Sequence, residues 1–571
     1  NTSTNLPRGS RAFAGIGCHS MVIGLNRATD AFTQMGAEGV TWQGQAPFTD
    51  EKHVFANMGD GTYFHSGILA IRSAVAAGQN ITYKVLFNDA VAMTGGQPHD
   101  GALSPLAIVS QLKAEGVGRT VLVAKDPDVW RKVRLPDGVE LLGRDDLNRI
   151  SKELRETPGV TAIVYDQMCA TELRRRRKRG RIETPPERAF INPLVCEGCG
   201  DCTIVSNCVA VEPLDTWQGR KRQINQSVCN IDLSCIKGFC PSFVTVTGST
   251  PKRVNPKRVN ALLDGLTLPE PKQIGDGHTD ILIAGIGGTG VLTVSGVIGM
   301  AAFLQGRPVT LLDQSGLAQK NGAVRSHIRI GKSATQLKPS RIGASGAHTL
   351  LACDAFAASD APVLNHVEWG RTVVVVNTSA APPVEFLTDR STDTSAEAAL
   401  DAIEQVAGNA ATRIDARELA SRYFGEAALA NVILLGAAWQ LGRVPLALSS
   451  LERAITLNGV AVDDNLAAFA LGRVAVAMPE ALQKPELQHV ISGDLEQRIS
   501  FLTDYQNTAW AERFADMVKQ ASARETELTG AEGSFTRTVM KNAFRLMSYK
   551  DEYEVARLHL STEFDLALRN E

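Results

Sequence analysis

Apolar residues recur in two alternating ways along the first third of the chain. Short strand-like runs at Val54–Ala56, Ile81–Phe87, Thr120–Val123 and Thr161–Tyr165 have the length of buried strands, whereas Gly67–Ala77 and Leu106–Glu115 repeat with helical period. This alternation, from about Arg11 to Val164, predicts a parallel sheet covered by helices on both faces. A second alternating stretch opens at Thr279, with strands expected at Ile281–Ala284, Val309–Leu312 and Thr372–Val376 and helices at Glu426–Leu441 and Leu446–Thr456. From about Pro485 strand-like runs cease, and Phe501, Tyr505, Trp510 and Phe514 recur at helical spacing among charged residues. The pattern predicts an α/β multidomain protein. Its parts are an α/β domain over 1–185, a cysteine-rich insert over 186–250, a linker over 251–278 with PKRVN twice, a second α/β domain over 279–480, and a helical region over 481–571.

A chain of 571 residues is too long for one core. The uncharged segment Ile281–Leu304 could be taken for a membrane span, but its six glycines divide it into a strand, a glycine turn and a small-residue helix. A net charge of -2 argues against a dedicated nucleic-acid binder. Asn1–Gly9 lacks the features of a secretory signal, so a cytoplasmic protein is expected. The basic run Arg174–Arg181, broken by one glycine, reads as a solvated linker or face.

Seven of the ten cysteines fall between Cys196 and Cys240. Cys196, Cys199 and Cys202 are each separated by two residues, and Cys208 follows; the second run is Cys229, Cys235 and Cys240, the last followed by Pro241. Zinc ribbons use separated pairs rather than a triplet run, and disulfides do not suit a cytoplasmic chain, so iron–sulfur ligation is the expected chemistry. In bacterial ferredoxins the last cysteine of each run serves the other cluster. The expected sets are therefore Cys196, Cys199, Cys202 and Cys240 for one, and Cys208, Cys229 and Cys235 for the other. Asp232 lies midway between Cys229 and Cys235, with two residues between it and each, where a central cysteine would be. A carboxylate there is a harder, weaker ligand, so this 4Fe-4S cluster is expected to convert readily to a 3Fe-4S form.

Gly59-Asp60-Gly61 follows the strand at Val54–Ala56, and Asn88, 27 positions beyond Gly61, closes the next strand. This resembles the thiamine diphosphate fingerprint, in which Asp and Asn at two strand ends hold the magnesium that bridges the diphosphate. His65 is placed near the cofactor pocket, while His53 and His99 read as surface residues. Gly285–Gly290 has the G-x-G-x-x-G form, and Asp313 ends the next strand. That pattern opens a Rossmann-like unit and fits a nicotinamide or flavin site, or tight strand–helix packing with no dinucleotide. The polar stretch Gly316–Gly322 reads as a surface loop, and Cys353 as structural.

Taken together, GDGTYFHSG, NDAVAMTGGQ, CEGCGDC, GFCPSF, GIGGTGV, GLAQKNGAV and KDEYEVARL (Lys550–Leu558) resemble the 2-oxoacid:ferredoxin oxidoreductases, in their fused indolepyruvate form. The resemblance implies a thiamine-diphosphate-binding parallel α/β domain, a ferredoxin-like iron–sulfur insert, a Rossmann-like gamma domain and a helical C-terminal region. It implies oxidative decarboxylation of an aryl pyruvate with coenzyme A to acyl-CoA and CO2, electrons leaving for ferredoxin. By resemblance Asp60 and Asn88 are magnesium ligands, with the carbonyl of Ala90 as a third, and Cys18 and Cys169 hold a cluster near thiamine. Two further cysteines for that cluster and the pyrimidine-binding domain with its activating glutamate are not in these residues. The chain therefore reads as the C-terminal half of a larger, dimeric enzyme. An acidic ferredoxin would dock at Arg174–Arg179 or on the ferredoxin-like module. The competing expectation is an electron-transfer subunit with an NAD(P)- or flavin-binding domain.

Overall fold

The computed structural model describes the chain apart from residues 1, 26, 94–95, 100, 249–258, 260–261, 273–276, 316–321, 380, 383–385, 387–388, 390–391, 410, 483–493 and 571. Most of the PKRVN repeats, Gly316–Asn321, Thr94, Gly95 and the segment around Pro485 thus lie outside the described residues. Two compact units form. One comprises Asn1–Thr184 with Arg253–Pro479, and the other Pro185–Lys252 with Glu480–Glu571.

The first unit contains a seven-stranded sheet. Its strands are β1 (Ala12–Ala14), β2 (Thr29–Phe32), β3 (Val54–Gly59), β4 (Ile81–Phe87), β5 (Arg119–Ala124), β6 (Glu140–Gly143) and β7 (Val160–Asp166). They are ordered β2-β1-β3-β4-β7-β5-β6, and every pairing is parallel. All seven residues of β4 are buried, as a central strand covered on both faces requires. Among them is Lys84, fully buried, which donates to the carbonyl of Asn5 at 2.7 Å and lies 5.0 Å over Phe55. Because the strands are parallel, the loops after β1, β3, β4 and β7 leave one edge of the sheet. These four neighbouring strands carry Cys18, Asp60, Asn88 and Cys169 just beyond their carboxyl ends.

The basic run is not a linker. Ala170–Lys178 is a helix following β7. Its Glu172 is buried and receives Arg175 at 2.7 Å and Arg176 at 3.2 Å, while Arg176 also reaches Asp89 at 3.2 Å. Once Glu172 faces inward its charge needs partners, and arginines three and four residues on supply them.

The second sheet of this unit contains β12 (Thr279–Ile286), β13 (Val309–Ser315), β14 (Ala323–Ile330), β15 (Thr349–Ala352), β16 (Val373–Asn377) and β17 (Thr412–Ile414), in the order β13-β14-β12-β15-β16-β17. β14 runs antiparallel between β12 and β13. The strand that follows the glycine turn and its helix, Val291–Leu304, therefore does not lie beside β12, as it would in a parallel dinucleotide fold. No helix among the described residues is long and apolar enough to cross a membrane. Ala430–Gln440 is buried along its whole length and crosses Val462–Ala477 at two glycines.

In the second unit β8 (Glu187–Ile191) pairs antiparallel with β11 (Phe243–Thr247), and β9 (Val211–Thr216) with β10 (Gly219–Ile224). The tail forms helices Leu495–Tyr505, Thr508–Thr529, Ser534–Met547, Glu552–His559 and Thr562–Asn570. Asp494, Asn507 and Asp551 cap three of them. The core holds Leu502, Phe514, Val518 and Phe544, and Trp217 from the β9–β10 turn packs into it against Phe501 at 5.9 Å. The cysteine-rich insert and the tail thus share one core, although nearly 300 residues separate Trp217 from Phe501.

The glycine crossing yields a test. A Cβ on Gly436 would lie 1.9 Å from the carbonyl oxygen of Phe469, and one on Gly472 1.8 Å from that of Ile433. Backbone cannot yield as a side chain would, so Gly436→Ala or Gly472→Ala is expected to destabilise the protein by about 3 kcal/mol. Gly296→Ala, in the helix Val291–Leu304 with open space around it, should be neutral or slightly stabilising. Thermal unfolding of the three variants checks this.

Candidate functional site

β3 ends at Gly59 and Asp60 opens a helical turn, which passes through a π turn at Tyr63–Gly67 into the helix Ile68–Ala76. The carboxylate of Asp60 is 2% exposed. Its Oδ1 accepts the Gly61 N–H at 2.9 Å, and its Oδ2 accepts the N–H groups of Asn88 at 2.7 Å and Asp89 at 3.0 Å. Asp89 has a left-handed backbone, φ 58°, within the turn that brings both amides onto one oxygen. Asn88 Oδ1 is buried and has no hydrogen-bond partner among the described residues. A buried carboxylate and an orphaned amide oxygen are oxygen donors of the kind that suits a hard cation. Ala90, whose carbonyl completes the expected trio, is buried next to them.

The histidines fall differently from the sequence expectation. His65 is exposed on the π turn, with Nδ1 2.6 Å from the Ser66 hydroxyl. His99, read as a surface residue, has its side chain buried with Nε2 3.4 Å from Asp60 Oδ2. The loop after Asn88 returns through the Val91–Gln97 bridge and carries His99 back over the strand end. A histidine two residues after that returning segment was the available signal. His53 is also buried rather than on the surface, bonded to Thr82 Oγ1 at 2.8 Å.

Cys18 begins the 3-10 turn Cys18–Leu25, and Cys169 precedes the helix after β7, its N–H 3.4 Å from the Asn88 carbonyl. β3 and β4 separate their strands, so their loops flank the Asp60–Asn88 pair. Beside Cys18, His19 is buried; its Nε2 accepts the Gly15 N–H at 3.1 Å, and burial pushes its pKa down to about 4. A Cβ on Gly15 would lie 2.3 Å from Oε1 of Glu38, a fully buried carboxyl. Glu38 Oε2 accepts the Gly36 N–H at 2.9 Å, whereas Oε1 has no partner among the described residues. Burial pushes the Glu38 pKa up to about 7. Neither His19 nor Glu38 was singled out from sequence, because nothing local marks either as buried.

The cysteine runs share one backbone shape. In Cys196–Cys202 the residues flanking the central Cys199 are Gly198 (φ 68°) and Gly200 (φ 84°); in Cys229–Cys235 those flanking Asp232 are Ile231 (φ 54°) and Leu233 (φ 55°). The Gly198 N–H points at Cys196 Sγ at 3.3 Å, and the Ile231 N–H at Cys229 Sγ at 3.4 Å. Asp232 therefore occupies the place of Cys199, held by two large residues in a conformation that disfavours them. Its Oδ1 accepts from the Ser234 amide at 3.2 Å and hydroxyl at 2.8 Å.

The thiols divide into two neighbourhoods. Burial, and then the nearby Cys196 and Cys199, push Cys202 up to about 11. Burial, and then Cys208, Cys229 and Asp232, push Cys235 up to about 12. Cys240 Sγ lies 3.1 Å from the Ser242 hydroxyl. Among the described residues no three metal-binding side chains converge into a closed cage.

In the glycine turn Gly288 and Gly290 have positive φ, and Asn431 donates to the Thr289 carbonyl at 3.0 Å. Asp313 Oδ1 accepts from the hydroxyls of Ser326 at 2.6 Å and Ser295 at 3.2 Å. The carboxylate that a dinucleotide reading would place on a ribose is thus engaged within the domain. Cys353 is buried, which raises its pKa, as expected of a structural thiol.

Glu38 gives a pH test. Its pKa in the folded protein stands above the ordinary 4.5, so folding holds the proton more tightly than the unfolded chain does. Stability is therefore lost as pH rises from 4.5 to about 7, by about 3 kcal/mol. Glu38→Gln should remove this loss and leave the opposite slope from neutral His19, measured as unfolding midpoints from pH 4 to pH 8.

Three families match parts of the chain. The thiamine pyrophosphate enzyme C-terminal TPP binding domain matches residues 15–118, the pyruvate ferredoxin/flavodoxin oxidoreductase family residues 280–475, and a family of unknown function residues 493–571. The chain is 29% identical over 196 residues to the indolepyruvate oxidoreductase subunit IorB of Archaeoglobus fulgidus, covering 34% of this chain and 92% of that one. To subunit IorA of the same organism it is 28% identical over 235 residues, covering 40% of this chain and 34% of that one. Subunit IorB of Pyrococcus horikoshii is 29% identical over 195 residues, covering 34% and 93%. The chain thus spans about a third of the length of the IorA subunit and nearly all of IorB. With matches to a thiamine-binding domain and an oxidoreductase domain, and likeness to both subunits in one polypeptide, the chain is an oxidoreductase similar to the 2-oxoacid:ferredoxin oxidoreductases of the indolepyruvate type.

Proposed function

We propose that this chain works in the oxidative decarboxylation of an aryl pyruvate resembling indolepyruvate, with coenzyme A as acyl acceptor and ferredoxin as electron acceptor. The products are an acyl-CoA, CO2 and two electrons. The observation that carries this reading is the orphaned, buried Asn88 Oδ1 beside the buried Asp60 carboxylate, at the ends of two neighbouring parallel strands. Asp60, Asn88 and the Ala90 carbonyl would hold Mg2+, and Gly59 and Gly61 let backbone approach a diphosphate. Thiamine diphosphate, when bound, supplies the electron sink for decarboxylation. Asp60 meanwhile orients the site by tying the amides of Asn88 and Asp89 to the end of β3. The pyrimidine-side carboxylate would come from outside these residues, as would the rest of a cluster to which Cys18 and Cys169 contribute.

The second unit would hold iron–sulfur clusters, which when bound supply one-electron transfer. Cys196, Cys199, Cys202 and Cys240 would hold one; Cys208, Cys229, Cys235 and Asp232 the other. The shared backbone shape of the two runs supports Asp232 as a ligand.

The reading is tested by activity of this chain with its partner, using a panel of 2-oxoacids, coenzyme A and a viologen acceptor. Coenzyme A-dependent viologen reduction fastest with indolepyruvate is expected, and no response to any 2-oxoacid would refute it. Asp60→Asn and Asn88→Ala should weaken Mg2+-dependent thiamine diphosphate binding more than about tenfold by titration calorimetry. Mild oxidation of wild-type protein should produce a three-iron signal in electron paramagnetic resonance that Asp232→Cys abolishes.

A further inference from the structure

We propose that the C-terminal helical region, which matches a family of unknown function, anchors the first cluster loop and raises that cluster's reduction potential through Lys550. The inference rests on the iron–sulfur reading of the second unit.

Lys550 lies between the helices Ser534–Met547 and Glu552–His559, with its side chain mostly buried. Its Nζ is 2.5 Å from Glu197 Oε1 and donates to the carbonyls of Val195 at 3.3 Å and Cys196 at 3.5 Å. Lys221, on β10, donates to the same Cys196 carbonyl at 2.7 Å. Arg222 follows it, 1% exposed, and its ionic neighbours include Cys202, Cys196 and Cys199. At the other end of the same ligand set, His559 Nε2 donates to the Pro241 carbonyl at 2.8 Å, next to Cys240. Asn192, four residues before Cys196, donates to the Leu558 carbonyl at 3.1 Å. The stretch 550–559 therefore holds both chain segments that carry the first ligand set, Cys196–Cys202 and Cys240.

The charges are unequal between the two neighbourhoods. Around Cys196, Cys199 and Cys202 stand Lys221, Arg222 and Lys550, against the half-exposed carboxylate of Glu197. Around Cys208, Cys229 and Cys235 stands the carboxylate of Asp232, with Arg188 near Cys229. Reduction adds a negative charge to a cluster, so nearby cations raise the potential and anions lower it. The first cluster is thus the better electron acceptor of the two, and the helical region contributes one of its three cations.

The test is a redox titration of the full chain, anaerobically reconstituted with iron and sulfide and followed by electron paramagnetic resonance. In Lys550→Gln the midpoint of one cluster should move to more negative potential while the other stays, and Lys550→Arg should match wild type. Unchanged potentials in Lys550→Gln, or equal shifts in both variants, would overturn the role of Lys550. Glu197→Gln gives the converse arm, a shift to more positive potential of the same cluster. If Lys550→Gln does not fold, that arm decides, and its failure to move either midpoint refutes the proposal. Protein that takes up no iron would instead defeat the cluster reading, and this inference with it.

Discussion

The Asp60 carboxylate is the point on which the candidate site depends. It is buried at the end of β3 and accepts amides from its own turn and from the turn after β4. A charge so placed is tolerable only when its oxygens are bonded, and here backbone supplies the donors. One carboxylate therefore sets the spacing between two neighbouring strand ends, and Asn88 Oδ1 is left without a partner among the described residues. The parallel sheet makes this possible, since only parallel neighbours deliver the loops after β1, β3, β4 and β7 to one edge.

The two domains of the first unit treat their glycine turns differently. At Gly59-Asp60-Gly61 the turn faces a polar cluster with an unmet acceptor. At Gly285–Gly290 the turn is tied by Asn431 from a fully buried helix, and Asp313 is engaged by two serines. Similar local motifs thus sit in opposite surroundings, which explains why a G-x-G-x-x-G signal alone says little about a ligand.

The second unit repeats one loop shape with two kinds of central residue. Glycine supplies the left-handed positions around Cys199 at little cost, whereas Ile231 and Leu233 adopt them around Asp232 against their preference. The unit keeps this conformation within a core shared by the insert and the tail, where Trp217 packs against Phe501 and Phe544.

The sequence by itself determined the local elements and the chemistry-bearing motifs. β4 occupies the residues its strand-like run predicts, the uncharged segment from Ile281 divides into strand, turn and helix, and the tail is helical at Phe501, Tyr505, Trp510 and Phe514. Periodicity, turn residues and cysteine spacing are local quantities, so they were legible. Tertiary structure alone decided that His99 and His53 are buried, that Glu172 turns the basic run into a paired helix, and that β14 separates β13 from β12. It also placed Lys550 on a loop more than 350 residues earlier. Burial and charge pairing depend on which distant segments meet, and no local pattern records that.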